Sequence, residues 1–139
     1  MGDHFTQRLS IIVKNNIHLG GDITVRNTLV ARGEPYKKGQ KPTLIAPEDV
    51  NKLVISHGEE GTVSFCGSAV YRSGVKGSLD LYDGDTRIAS LHWRGPWALT
   101  GNYFEVTDVK SEKYLVDVSD IPNNGILGDI SVIVTNIAP

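Results

Sequence analysis

The chain has 139 residues, of which 40% are hydrophobic and 22% charged, a composition typical of a globular protein that forms one domain. Its 14 Lys and Arg residues stand against 16 Asp and Glu residues, so the formal net charge is −2 and composition argues against a nucleic-acid-binding protein. With so little positive charge overall, attachment to a membrane cannot rest mainly on attraction to anionic lipids.

The sequence has one cysteine and no recognisable signal peptide. Cys66 is the single cysteine, so an intrachain disulfide is excluded and the fold depends on its core. The first residues lack a basic segment followed by a long apolar one, and nowhere do 18 consecutive apolar residues occur. We therefore expect a protein that is released without a conventional signal peptide and that no helix carries across a bilayer.

Short runs of β-branched and aromatic residues recur along the chain, each bounded by Gly, Pro, Asn or Asp. They occupy residues 9–13, 22–33, 51–58, 61–69, 77–93, 102–109, 113–120 and 128–137. In the second run, the alternation predicts that Ile23, Val25 and Leu29 share one side of a strand. Residues 34–42 contain lysines and turn formers and predict an exposed loop, while residues 46–53 predict one helical turn.

The clearest local signal is the segment 77–93, GSLDLYDGDTRIASLHW. Leu79 and Leu81 alternate with polar residues before Asp83-Gly84, a pair that readily adopts the positive φ angles of a tight hairpin. A second turn is predicted at Gly58-Glu59-Glu60-Gly61. Eight or nine short strands at regular spacing predict an all-β, single-domain antiparallel sandwich or barrel over residues 1–139.

The sequence contains no constellation of residues that indicates an enzyme. Its serines lie in no G-x-S-x-G motif, its histidines are scattered, and no zinc-ligand spacing occurs. Asp80, Asp83 and Asp85 surround the hairpin turn and could hold a calcium ion, but Asp-Gly-Asp is also what a tight turn requires. We therefore expect no catalytic residue, no metal ion and no cofactor.

The stretch HWRGPW, residues 92–97, contains both tryptophans of the chain. Trp93 completes a predicted strand, whereas Trp97 follows a Gly-Pro turn; Tyr82 lies on the partner strand, and Tyr103 follows. These rings could form a core cluster, or they could form an interfacial patch, since Trp and Tyr suit the lipid headgroup region. Composition does not decide between core and patch.

Residues 79–97, LDLYDGDTRIASLHWRGPW, resemble the aegerolysin family, small all-β proteins of fungi and bacteria with a stretch like F-D-L-Y-D-G-x-T-x-I-x-x-x-H-W-D-C-P-W. The matching residues are Asp80, Leu81, Tyr82, Asp83, Gly84, Thr86, Ile88, His92, Trp93, Pro96 and Trp97. Residues 22–41, 63–67 and 125–134 resemble further family segments, so the resemblance covers nearly the whole chain. It implies a β-sandwich.

Several positions depart from the family pattern. Arg32 stands where a Trp is common, and residues 38–41, KGQK, replace Asp-Gly-Asp-Lys. Arg94 and Gly95 replace Asp and Cys, and an acidic residue that follows Cys-Gly in some fungal members is replaced around Ser73. The family's lipid-binding patch is therefore only partly preserved, and a sphingomyelin–cholesterol preference does not carry over.

The resemblance implies a toxin component that binds a sphingolipid such as ceramide phosphoethanolamine on the target-cell membrane. It also implies recruitment of a larger perforin-like (MACPF) partner to form pores, with an invertebrate or insect target. We predict that aromatic side chains enter the headgroup region, Trp97 first and with it Trp93, Tyr36 and Tyr82. The phosphate or amine would be contacted by Lys37, Lys38, Asp80 and Arg94. Outward rings could also cause weak self-association.

An alternative interpretation is a soluble carbohydrate- or protein-binding β-sandwich without a pore-forming role. The tryptophans would then serve as a platform for stacking sugars or as the centre of a protein interface. This alternative predicts binding to glycans and no lipid selectivity.

Overall fold

A computed structural model describes residues 7–18, 21–38 and 43–137. These residues form two sheets and one short helix, with the elements β1 (Arg8–Asn16), β2 (Ile23–Arg32), β3 (Glu34–Lys37), β4 (Thr43–Leu44), α1 (Pro47–Val50), β5 (Val54–Ile55), β6 (Glu60–Cys66), β7 (Val75–Asp83), β8 (Thr86–Gly95), β9 (Tyr103–Thr107), β10 (Tyr114–Val118) and β11 (Gly128–Asn136). The strand order is β10-β11-β1-β6-β3-β4 in sheet A and β5-β2-β7-β8-β9 in sheet B. The predicted all-β fold class is confirmed. Within the described ranges no helix is long and apolar enough to cross a membrane.

Neighbouring strands pair in antiparallel fashion, with one exception. β1 and β11 pair in parallel, with Ile11 opposite Ile130 and Val13 opposite Val132. A parallel pair needs a long connection, and these strands come from opposite ends of the described chain. The pair places both termini of the fold in the middle of sheet A.

The core lies between the two sheets and follows the two-residue period of the strands. Leu79 and Leu81 of β7 are buried, and so is Ile88 of β8, as the alternation predicts. Phe65 of sheet A meets Trp93 of sheet B at a ring-centroid distance of 4.6 Å, so the largest core side chains join the two layers.

The hairpin and the helical turn are where the sequence predicts them. Asp83 pairs with Thr86, so Gly84 and Asp85 form the two-residue turn, and Gly84 has a φ of 60°, which glycine adopts without strain. Helix α1 begins at Pro47, whose missing N–H is not needed in a first turn.

Three local predictions are wrong, and each has a structural reason. Residues 34–37 form β3 instead of a loop, because pairing with β6 buries Pro35 against Phe65. Leu29 is 68% exposed, since a bulge after Arg26 reverses the side on which the following residues point. The turn at 58–61 ends early, because Glu60 and Gly61 already belong to β6, and it connects sheet B to sheet A. Residues 39–42, the rest of the predicted loop, lie outside the described residues.

Candidate functional site

The loop between β6 and β7 presents apolar side chains to solvent. Ser68 and Ser73 close it with two backbone hydrogen bonds of 2.9 and 3.0 Å, and the Tyr71 N–H donates to Ser68 Oγ at 3.2 Å. At its tip, Val70 is 84% and Tyr71 83% exposed. Large apolar side chains with this exposure on a short ordered loop are typical of a contact surface.

The turn that carries Trp97 lies directly against this loop. A Cβ atom at Gly74 would overlap the Gly95 carbonyl oxygen and would lie 2.7 Å from the Trp97 nitrogen. Glycine is therefore required for the two loops to touch backbone to backbone. The half-buried Trp97 and the exposed Tyr71 consequently belong to the same end of the sandwich.

Four cationic side chains surround Trp97. Register places Arg32 opposite Lys76 and Lys76 opposite Arg94 on the outer face of sheet B, and Arg72 reaches the same place from the loop. These four residues, which we call the basic cluster, line a cavity of about 240 Å³ together with Trp97.

Among the residues that the structure describes, no carboxylate forms an ion pair with the basic cluster. The ion pairs of the described residues join Arg26, Lys38, Lys52 and Lys110 to acidic partners, and none of them involves a cation of the cluster. A group of like charges in one cavity creates a local positive potential, although the chain as a whole is slightly acidic. This cavity is therefore suited to an anion such as a phosphate.

A buried glutamine fixes the loops of this end. Gln7 is fully buried; its Nε2 donates to the Gly125 carbonyl at 3.1 Å, and its Oε1 accepts from the Leu127 N–H at 2.6 Å. The Gln7 carbonyl also accepts from the Gly67 N–H at 2.7 Å. One residue thus holds the β6–β7 loop and the segment before β11 in fixed positions beneath Gly95, where an added Cβ would meet the Gln7 side chain.

Replacement of Gln7 by leucine should lower the free energy of unfolding by about 3 kcal/mol, because buried backbone groups would lose their partners. Urea denaturation followed by fluorescence measures this change. Asn123→Leu is the matched control, since that amide is exposed and its side chain has no hydrogen bond within the described part of the chain. Equal stability of the two variants would contradict the role given to Gln7.

The structure brings together only part of the predicted site. Trp97 and Arg94 lie beside each other at the end just described. Trp93 is 1% exposed and packs on Phe65, so its ring belongs to the core rather than to the surface.

Two further predicted residues lie elsewhere on the outer face of sheet B. Asp80 accepts hydrogen bonds from Asn27 Nδ2 at 2.8 Å and from Ser90 Oγ at 2.6 Å. Tyr82 lies near the β7–β8 turn, with the Arg26 guanidinium 4.2 Å from its ring centroid. Their partners are side chains of the protein itself, away from Trp97.

The remaining three predicted residues lie on β3 or directly after it. Tyr36, Lys37 and Lys38 line a separate cavity of about 730 Å³ beside α1. Lys38 Nζ lies 3.6 Å from Asp129 Oδ1. This cavity is on the sheet A side of the molecule and does not include any residue of the basic cluster.

The aspartates around the hairpin do not converge on one point. Asp83 accepts from the Tyr114 hydroxyl at 2.7 Å, and Asp85 pairs with Arg26 at 3.2 Å. Burial and this contact with Asp83 raise the pKa of Tyr114, so its hydroxyl stays protonated and keeps donating at physiological pH. Within the described ranges no three acidic, His or Cys residues are grouped as a metal site would require.

Sequence reasoning missed most of the loop end. It did not select Val70, Tyr71, Arg72 or Lys76, and it noted Arg32 only as a departure from the family pattern. The available signal was an apolar Val-Tyr pair in a segment bounded by Gly67 and Gly74, where turn residues are expected.

The chain is thus a small two-sheet β-sandwich that groups aromatic and basic side chains at one end. Residues 6–137 match the protein-family model described as Aegerolysin, and the chain therefore belongs to the aegerolysin family. The resemblance of residues 79–97 to this family is thereby confirmed.

Individual relatives agree with this assignment. Asp-hemolysin of Aspergillus fumigatus is 34% identical over 96 residues, which cover 69% of this chain and 68% of the relative. The structure of IP-1A from Alcaligenes faecalis superposes with a TM-score of 0.84 at 26% identity and covers 96% of this chain and 94% of that one. The lipid binding protein Nakanori has a TM-score of 0.55 at 14% identity over 95% of this chain and 71% of its own, which is a likeness of fold.

Proposed function

We propose that this chain is a membrane-lipid-binding toxin component that uses the end formed by Trp97, the β6–β7 loop and the basic cluster. The observation that carries the proposal is the position of the apolar tip, Val70 and Tyr71, beside the four cations of the basic cluster. A membrane surface offers both partners at once, since apolar chains lie just below a layer of phosphates.

The energetics favour reversible attachment. Transfer of the exposed Val70 and Tyr71 side chains from water into the interface contributes about 2 kcal/mol each at most, because each is removed only partly from water. A cation that contacts a lipid phosphate adds roughly 1 kcal/mol or more. Such sums give a peripheral protein that binds and leaves, rather than one that inserts permanently.

The lipid that we propose is a sphingolipid with a phosphate in its headgroup, such as ceramide phosphoethanolamine. Its phosphate would occupy the basic cluster, while Tyr71 and Trp97 contact the boundary between headgroup and acyl chains. Support comes from family membership, from the haemolysin named among the relatives and from the lipid-binding protein that shares the fold. The replaced acidic residue near Ser73 is the reason for not proposing a sphingomyelin–cholesterol target.

We further propose that the bound chain recruits a larger perforin-like partner, and that the pair acts on an invertebrate membrane. This step rests on the family resemblance alone. Sequencing of the neighbouring reading frame tests it: a perforin-like product supports a two-component toxin. Dye release from vesicles by this chain alone would contradict the need for a partner.

Vesicle binding tests the proposed site directly. Wild-type protein should bind vesicles that contain ceramide phosphoethanolamine more tightly than vesicles in which phosphatidylcholine replaces it. Trp97→Ala and Tyr71→Ala should each bind about 10-fold more weakly, because each loses part of the apolar contact. Leu115→Ala is the control, an exposed apolar residue of β10 on the other sheet. Equal binding of the wild type and the variants to both kinds of vesicle would contradict the proposal.

A further inference from the structure

A second cavity adjoins the basic cluster. It is an open groove of about 960 Å³ on the outer face of sheet B, and it shares Lys76 and Arg94 with the cavity around Trp97. Given the lipid-binding function proposed above, we propose that this groove holds a sugar or other polyol attached to the phosphate of the bound lipid. The preferred ligand class is then a phospholipid or phosphosphingolipid with a polyhydroxylated headgroup.

The strand register sets the order of the two subsites. One row across sheet B consists of Lys76, Arg94 and Tyr103, and the next row on the same face consists of Ser78, His92 and Glu105. Successive outward residues of a strand are about 7 Å apart. A group bonded directly to a phosphate at Arg94 can therefore reach the second row.

The second row and its surroundings carry hydrogen-bonding groups that suit hydroxyls. The exposed Glu105 carboxylate can accept from two adjacent hydroxyls, as an ionised carboxylate has several lone pairs. The Glu105 carboxylate, which can accept from the Tyr103 hydroxyl, raises the pKa of Tyr103, so this hydroxyl stays protonated. The Tyr103 side chain is 42% exposed, so its ring offers an apolar face to the C–H groups of a sugar ring.

Other headgroup extensions fit less well. A second phosphate would be repelled by the carboxylates of Glu105 and Asp108, which line the groove. An ethanolamine arm has three heavy atoms and spans less of the groove than a six-membered polyol ring does. A neutral group with several hydroxyls can pair with more of the polar groups that line the groove.

The test compares phosphatidylinositol with phosphatidylserine in otherwise equal vesicles. Each lipid carries one net negative charge, so the basic cluster attracts both, and only the first carries a polyol. Wild-type protein should bind the phosphatidylinositol vesicles about 5-fold more tightly, the gain expected from one or two added hydrogen bonds. Glu105→Ala should reduce this preference to unity. Asp117→Ala, which removes an exposed carboxylate from β10 on sheet A, should keep it.

Equal binding of wild type to the two vesicles, or a preference that survives Glu105→Ala, would overturn the inference. Two added measurements separate it from the proposed function: binding to ceramide phosphoethanolamine vesicles, and NMR titration with soluble glycerophosphoinositol and glycerophosphate. Binding to ceramide phosphoethanolamine without an inositol preference overturns the inference and leaves the function standing. Preference for glycerophosphoinositol without vesicle binding supports the groove and overturns the membrane function, and failure of every arm overturns both.

Discussion

Replacement of Arg72 and Arg94 together by glutamine is expected to weaken binding to ceramide phosphoethanolamine vesicles about 30-fold. A cation that contacts a phosphate contributes roughly 1 kcal/mol or more, and two such losses give this factor. Both side chains are exposed, and neither has an ion pair among the residues that the structure describes, so the substitutions remove charge without breaking a contact of the fold. Vesicle cosedimentation at low and high salt measures the effect, which should shrink at high salt as screening increases.

The matched control for this double variant is Arg87→Gln with Lys113→Gln. It lowers the net charge by the same amount at the other end of the molecule. Arg87 lies opposite Tyr82 in the strand register, next to the β7–β8 turn. Lys113 lies near the same turn, because the hydroxyl of the following residue, Tyr114, donates to Asp83. Equal losses in the two double variants would mean that only the net charge matters, and would contradict a phosphate subsite at the basic cluster.

The strands of the fold could be predicted because their signals are local. Leu79 and Leu81 alternate with polar residues and Asp83-Gly84 supplies the turn, so the hairpin follows from a single segment of sequence. The predicted side of Leu29 is wrong because the bulge depends on how β2 pairs with β7. The sequence of β2 alone does not determine that pairing.

The basic cluster could not be predicted for the same reason. Arg32 of β2 and Arg72 of the β6–β7 loop are far in sequence from Arg94, and only the pairing of β2 with β7 brings Arg32 beside Lys76 and Arg94 of the β7–β8 hairpin. Composition does not indicate such a cluster either, since a net charge of −2 does not reveal a local excess of cations. The sequence did place Arg94 and Trp97 among the candidate residues, because they stand in the one motif long enough to be compared with a family.

The pair of tryptophans in HWRGPW should separate into one that stabilises the fold and one that binds. Trp93→Ala is expected to lower the free energy of unfolding by about 3–5 kcal/mol, because it empties a fully buried site between the two sheets. Gly77 lies directly opposite Trp93, and a Cβ there would come within 2.7 Å of the indole, so the chain has no side chain at that position to refill the space. Urea denaturation measures the loss.

Trp97→Ala should cost about 1 kcal/mol or less in the same measurement, since its ring is only half-buried beside the β6–β7 loop. The Trp93 Nε1 has no hydrogen-bond partner among the described residues, so Trp93→Phe should lose packing but no hydrogen bond, and its cost should be well below that of Trp93→Ala. Folded Trp93→Phe protein should then bind vesicles as wild type does, while Trp97→Ala does not. Loss of binding by Trp93→Phe at unchanged stability would instead place the Trp93 ring in contact with lipid, which its burial in this fold forbids.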